Sequence, residues 1–100
     1  MPVGPTIRRV YPLPTFASSW KELPKEIHEP AIHAIKAIIR NPEDRPQQLN
    51  LRQLEGFKKQ NIWTIDLTPD GLYRCSLSID GETGYLRRVG PYDEIDAYPE

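Results

Sequence analysis

Arg74 is the side chain whose surroundings in the sequence say most about chemistry. It lies in a run that alternates: Tyr73, Cys75, Leu77 and Ile79 point one way, and Leu72, Arg74, Ser76 and Ser78 the other. The second set is too polar for a core, so the pattern predicts an open sheet face carrying Arg74, Ser76 and Ser78. Asp66, one run earlier, falls on the same side as Thr64 and would pair with Arg74; an exposed pair of that kind is worth ~0–1 kcal/mol. In the last run Tyr85, Arg87 and Val89 oppose Leu86 and Arg88, so one arginine should join the Arg74 face, and alternation leaves open which. Lys58-Lys59 form a small basic cluster, read first as a solvated turn and second as a substrate contact. Other reactive types carry less. A single cysteine, Cys75, excludes an internal disulfide, disfavours zinc, and sits on the apolar side as a structural thiol. His28 and His33 lie about 140° apart around a helix, with no cysteine or second histidine at ligand spacing. They read as a surface and a flanking histidine.

The elements that position these residues follow from turn chemistry and periodicity. Asn61–Gly90 reads as three strands joined by two turns. Pro69-Asp70-Gly71 supplies the first turn. Asp80-Gly81 supplies the second, with Gly84 leaving the loop length open. Trp63, Ile65 and Leu67 share the core side of the first of these strands. Upstream, residues 6–11 have strand composition, ended by Pro12 and Pro14. Thr15 is the expected cap of a short helix with Phe16, Trp20 and Leu23 on one stripe. Pro24 is expected to open a second helix at its first position, with Ile27, Ala31, Ala34, Ile35 and Ile38 as its apolar face. Pro30 inside that stripe predicts a kink, or a start near Glu29. Glu43–Gln48 reads as polar linker, and Leu49, Leu51 and Leu54 as leucines docked under the sheet before Gly56 stops the segment. Tyr92–Tyr98 is a short acidic terminal segment.

One hundred residues suit one domain that buries roughly 65% of its unfolded surface. A hydrophobic content of 38% and charged content of 27% are globular and exclude a disordered chain. No apolar run approaches a membrane span and no signal-peptide core follows Met1, so a cytoplasmic protein without membrane contact is expected. The net charge of −1 argues against a general nucleic-acid binder, yet Asp93, Glu94, Asp96 and Glu100 crowd the end. Residues 1–92 carry thirteen bases against ten acids, a net +3 that suits a local anionic site.

The order β-α-α-β-β-β resembles the RelE/ParE family of toxins from bacterial type II toxin–antitoxin pairs. The segments that carry the resemblance are TFASSWKELPKEI for the hairpin, LRQLEG before the sheet, NIWTIDLTPDGLYRCSL, and YLRRVGPYDEIDAY. It spans about residues 7–98 of a single 1–100 domain. The resemblance implies an α+β fold: an N-terminal strand and a helical hairpin packed on one face of a small antiparallel sheet. Phe16, Trp20, Ile27, Ile35, Ile38, Trp63, Ile65, Cys75 and Leu77 should then be buried.

The resemblance also implies a function: a toxin that cleaves mRNA on the ribosome by 2′-hydroxyl attack, without metal or cofactor, and is neutralised by a cognate antitoxin. In mRNA-cutting members the arginine of a strand YR element contacts the scissile phosphate, and Arg74 matches it. A guanidinium binds phosphate through a fork and stabilises charge growing there. Tyr98 matches a C-terminal tyrosine near the attacking hydroxyl, and Tyr92 stands where relatives place histidine or arginine. Arg87 or Arg88 would support the phosphate, and the antitoxin would cover the Arg74 face or the exposed side of the hairpin. The departures are specific. Thr64 and Asp66 stand where RelE-like members carry lysines, and Gln47 and Gln48 where others place a glutamate base. They favour an alternative: a non-catalytic binder, either a ParE-like poison of DNA gyrase or an inactive homologue that still binds antitoxin. In a third reading Arg74 only pairs with Asp66.

Overall fold

Strand β1 (Arg9–Pro12) leads into a hairpin of α1 (Pro14–Glu22) and α2 (Lys25–Ile38). Two single 3-10 turns, Pro42–Asp44 and Gln47–Leu49, carry the chain to β2 (Arg52–Gln53), β3 (Trp63–Asp66), β4 (Tyr73–Asp80) and β5 (Thr83–Pro91), followed by α3 (Tyr92–Ala97). This computed structural model describes residues 4–54 and 61–99; Gly56, Lys58 and Lys59 lie outside the described residues. The α+β class and the hairpin-on-sheet arrangement are as expected. Short β2 and terminal α3 are additions. The sheet order is β1-β5-β4-β3-β2, antiparallel except for β1, which runs parallel to β5. A parallel pair needs a long crossover, and the helical hairpin and meander between β1 and β5 supply it.

The prolines act differently from expectation. Leu13 precedes α1 with no side-chain cap, and Pro14 takes the first helical turn, where its missing N–H would have had no partner anyway. Thr15 is therefore not the cap. Pro24 is likewise the residue before α2 rather than its first, and α2 continues through Pro30. One lost backbone bond is outweighed there by the apolar stripe, in which Ala31, Ala37 and Ile38 are buried. The segment expected to be linker instead closes α2: Arg45 donates from Nε and Nη2 to the Ile38 carbonyl at 3.2 and 3.0 Å, and from Nη2 to Pro5 at 2.6 Å.

The main core lies between the hairpin and one sheet face, where Ile7, Phe16, Ile38, Ile65, Cys75 and Leu77 are buried. Trp20, Ile27, Ile35 and Trp63 were expected inside and are only partly buried against it, because they sit at its rim. Asp80 pairs with Thr83, so the β4–β5 loop is two residues, with Gly81 at φ +61. Gly84 belongs to the strand, where a Cβ would come within 3.3 Å of Leu77 Cδ1.

Beyond its pairing with β1, the outer edge of β5 is met by Leu13 and by α1. The Leu13 amide donates to Leu86 O at 2.9 Å, the Thr15 hydroxyl to Arg87 O at 2.6 Å, and the Val89 amide to Ser19 Oγ at 3.0 Å. Ser19→Ala leaves the Val89 amide without its acceptor and should lower unfolding free energy by about 1–3 kcal/mol in urea titration. Burial pushes the Cys75 thiol up to about 12, so it stays protonated and inert. A thiol reagent should label the native protein only at its unfolding rate, whereas rapid labelling would contradict this packing.

Candidate functional site

The register of the meander decides where the arginines go. Asp66 pairs with Arg74, Thr64 with Ser76, Arg74 with Gly90 and Ser76 with Arg88. A bulge between Ser76 and Leu77 then makes Leu77 pair with Leu86, which leaves Arg87 as the extra residue. Leu86 and Val89 are both buried toward the hairpin, and both intervening arginines reach the polar face. Arg87 Nη1 donates to Ser78 Oγ at 2.9 Å, and Arg88 Nη1 donates to the Tyr98 carbonyl at 3.0 Å. Strict alternation admitted only one of them. The bulge admits both.

That face is not open, contrary to the expectation from its polarity. Helix α3 and the residues after it lie across it, so Thr64 and Ser76 are fully buried, with Ile62, Ile95 and Pro99 beside them. Ser76 Oγ donates to the Pro99 carbonyl at 2.6 Å and accepts the Arg88 amide at 3.1 Å. A hydroxyl that both donates and accepts satisfies itself under cover, which is why Ser76 does not require solvent. Helices therefore lie on both sides of the sheet, not on one alone.

Arg74 is held from two sides. Its Nε donates to Asp66 Oδ1 at 3.1 Å and its Nη1 to Asp96 Oδ2 at 2.6 Å. Its guanidinium carbon lies 5.4 Å from the centre of the Tyr92 ring. Arg52 approaches Asp66 at 3.6 Å, and the Asn50 amide donates to it at 3.3 Å. The side chains of Arg74 and Asp66 are 18% and 13% exposed and that of Asp96 37%, so this is a half-desolvated network rather than a surface pair. The ion pair between Asp66 and Arg74 was anticipated. The second carboxylate was not.

Tyr92 lies against this network and Tyr98 accepts from Arg88 through its carbonyl; the two residues are 45% and 72% exposed, and both belong to the segment over the arginine face. Three polar atoms of the region are buried without a protein partner: Thr64 Oγ1, Arg87 Nε and Asp96 Oδ1. Sequence reasoning missed a cleft of about 250 Å³ in which Glu22 and Glu94 join Tyr73 and Arg88. Nothing local links residues 22 and 94, so no spacing rule could have found the pair. On the hairpin side, Val10, Phe16, Trp20, Ile32, Ile35 and Leu86 line an apolar groove of about 560 Å³. The two histidines stay apart: His28 stacks on Trp20 at 4.6 Å, and His33 faces Glu29 at 3.8 Å on the surface. Among the described residues no cluster of three or more His, Cys, Asp or Glu is placed to hold a metal ion.

No family model matches the sequence, and the comparison with curated proteins finds no match. Among solved structures the chain is similar to one from the RelB–RelE antitoxin–toxin complex of Methanococcus jannaschii. The identity is 23% and the TM-score 0.65, over 88% of this chain and 96% of that one. The likeness establishes an α+β fold of the kind found in that toxin–antitoxin complex. Among the described residues no helix is long and apolar enough to cross a membrane.

Two carboxylates on one guanidinium change what its loss costs. Removing an exposed arginine would be nearly neutral. Removing this one leaves Asp66 and Asp96 part-buried with reduced compensation. Arg74→Ala should therefore lower stability by about 1–3 kcal/mol, and a double-mutant cycle with Asp96→Ala should return a coupling above ~0.5 kcal/mol. Additive losses in chemical denaturation would show that the pair is not coupled.

Proposed function

We propose that this chain is the toxin-type component of a toxin–antitoxin pair, and that its arginine face binds an RNA phosphodiester. The observation that carries the reading is the bulge, which brings Arg87 and Arg88 to the face that already holds Arg74. Three guanidiniums with two exposed tyrosines match what single-stranded RNA presents, namely phosphates to pair and bases to stack. The reaction class is attack of a ribose 2′-hydroxyl on the adjacent phosphorus with expulsion of the 5′-oxygen. The 2′-hydroxyl proton leaves to a base and another proton is delivered to the 5′-oxygen, so no external reductant or oxidant enters. Arginine stabilises the negative charge that builds on the non-bridging oxygens. Tyr92 and Tyr98 are the proton-transfer candidates carried by the resemblance, and Glu94 supplies a carboxylate beside Arg88. The cognate antitoxin is assigned to the apolar groove on the hairpin side, where Ile32 is 43% exposed.

A second reading rests on a specific observation. With Asp66 and Asp96 both on Arg74, the residue expected to grip phosphate is already engaged. A protein that keeps it so would act by contact alone, as a gyrase poison or an inactive homologue that captures antitoxin.

Induced expression separates the two readings. The nuclease reading expects growth arrest with cuts mapped in translated mRNA. Arg88→Ala should slow cleavage about 100-fold or more, and Tyr98→Phe should also slow it if that hydroxyl moves a proton. Growth arrest with intact mRNA and accumulated gyrase–DNA cleavage complexes would move the assignment to the poison class. Growth without arrest, together with retained antitoxin binding, would move it to the inactive class.

A further inference from the structure

The contacts of Arg74 point to a regulation of the proposed RNA site, and the inference rests on that reading of the face. We propose that α3 is a latch: the Asp96 carboxylate occupies the place on Arg74 that a phosphate of single-stranded RNA would take. The closed position of the helix and RNA therefore exclude one another, and Tyr92 and Tyr98 meet RNA only once the segment has moved. A carboxylate and a phosphate offer a guanidinium the same thing, two acceptor oxygens at charge-assisted hydrogen-bond distance. The Asp96 oxygen stands 2.6 Å from Arg74 Nη1. Tyr92, from the same helix, lies over that guanidinium, so one short element blocks both its edge and its face.

The helix is built to let go. It has six residues and no side-chain cap at its start. Ile95 is its one buried residue. Two bonds from the sheet, Arg88 to the Tyr98 carbonyl and Ser76 to the Pro99 carbonyl, hold the residues that follow it. Asp96 Oδ1 is buried with no partner, a penalty carried only by the closed arrangement. Opening releases Arg88 as well, because its guanidinium is tied to the same segment. The acids Asp93, Glu94 and Asp96 make the segment an anionic competitor for an anionic strand, so RNA and segment compete for the same cations. Asp66 stays on Arg74 through Nε when the latch opens and holds the guanidinium in place while Nη1 becomes free.

The test uses a fluorescently labelled ten-nucleotide single-stranded RNA, followed by anisotropy at low salt. Asp96→Asn should bind it at least tenfold more tightly than wild type, and adding Arg74→Ala should remove the gain. Hydrogen exchange on the unmutated protein gives a reading that no folding defect can blur. The Tyr98 amide, bonded to the Glu94 carbonyl at 2.8 Å, should lose protection when wild type is saturated with the RNA. Equal affinity of Asp96→Asn and wild type, a gain that survives Arg74→Ala, or unchanged Tyr98 protection would each overturn the latch, as would no binding by either protein. If Asp96→Asn binds more tightly and yet no variant cuts RNA or arrests growth, the latch stands and the nuclease reading falls.

Discussion

A strand inside a fold must find partners for the backbone groups on both its edges, and here that constraint bears hardest on β5. Along one edge it is paired with β4 for nearly its whole length. On the other edge β1 serves only Thr83 to Leu86. The remaining groups are met by the Leu13 amide and by the hydroxyls of Thr15 and Ser19. Unpaired and buried, each such group would cost on the order of 1–3 kcal/mol. Because the makeshift partners belong to α1 and the residue before it, the same bonds that satisfy β5 also fix where the helical hairpin lies on the sheet. The apolar stripe then needs only to fill the space beneath, which explains why Trp20 and Ile35 can remain half-exposed at its rim.

The opposite face follows from the other irregularity of β5. One extra residue against β4 turns two consecutive arginines to the same side, and the strand recovers its apolar register with Val89. Three arginines on a sheet face would repel one another if left alone. The chain answers with acids from two directions, Asp66 from β3 and Asp96 from α3, and covers the serine and threonine hydroxyls with the segment that brings Asp96. The result is a nearly balanced set of charges under a thin cover. Such a set contributes modestly to stability, since desolvation offsets most of the attraction, but it gives the face two arrangements with different chemistry. Closed, it presents tyrosines and acids. Open, it presents guanidiniums.

The apolar groove and the arginine face lie on opposite sides of the sheet. A partner on the hairpin side would therefore leave the arginines uncovered unless it also wrapped the β1 edge. The cleft lined by Glu22, Tyr73, Arg88 and Glu94 lies where α1, β5 and α3 meet, so it joins both sides. It places the carboxylates of Glu22 and Glu94 beside Arg88.

What the sequence determined by itself is what short-range periodicity encodes. The alternation in β4, the Pro69-Asp70-Gly71 and Asp80-Gly81 turns, the stripe of α2, the buried thiol of Cys75 and the pairing of Asp66 with Arg74 all follow from neighbours a few residues apart. The tertiary structure decided the rest. Alternation could not choose between Arg87 and Arg88 because a bulge is set by how two strands fit against a core, not by either strand alone. Polarity at Ser76 read as exposure, because a hydroxyl satisfied by Pro99 and a backbone amide looks no different in sequence from one satisfied by water. Thr15 looked like a helix cap, since nothing in its own segment shows that the edge of β5 would take its hydrogen bond. Arg74 looked paired with Asp66 alone for the same reason. The second carboxylate comes from 22 residues further along the chain, and only folding brings Asp96 within 2.6 Å of Arg74.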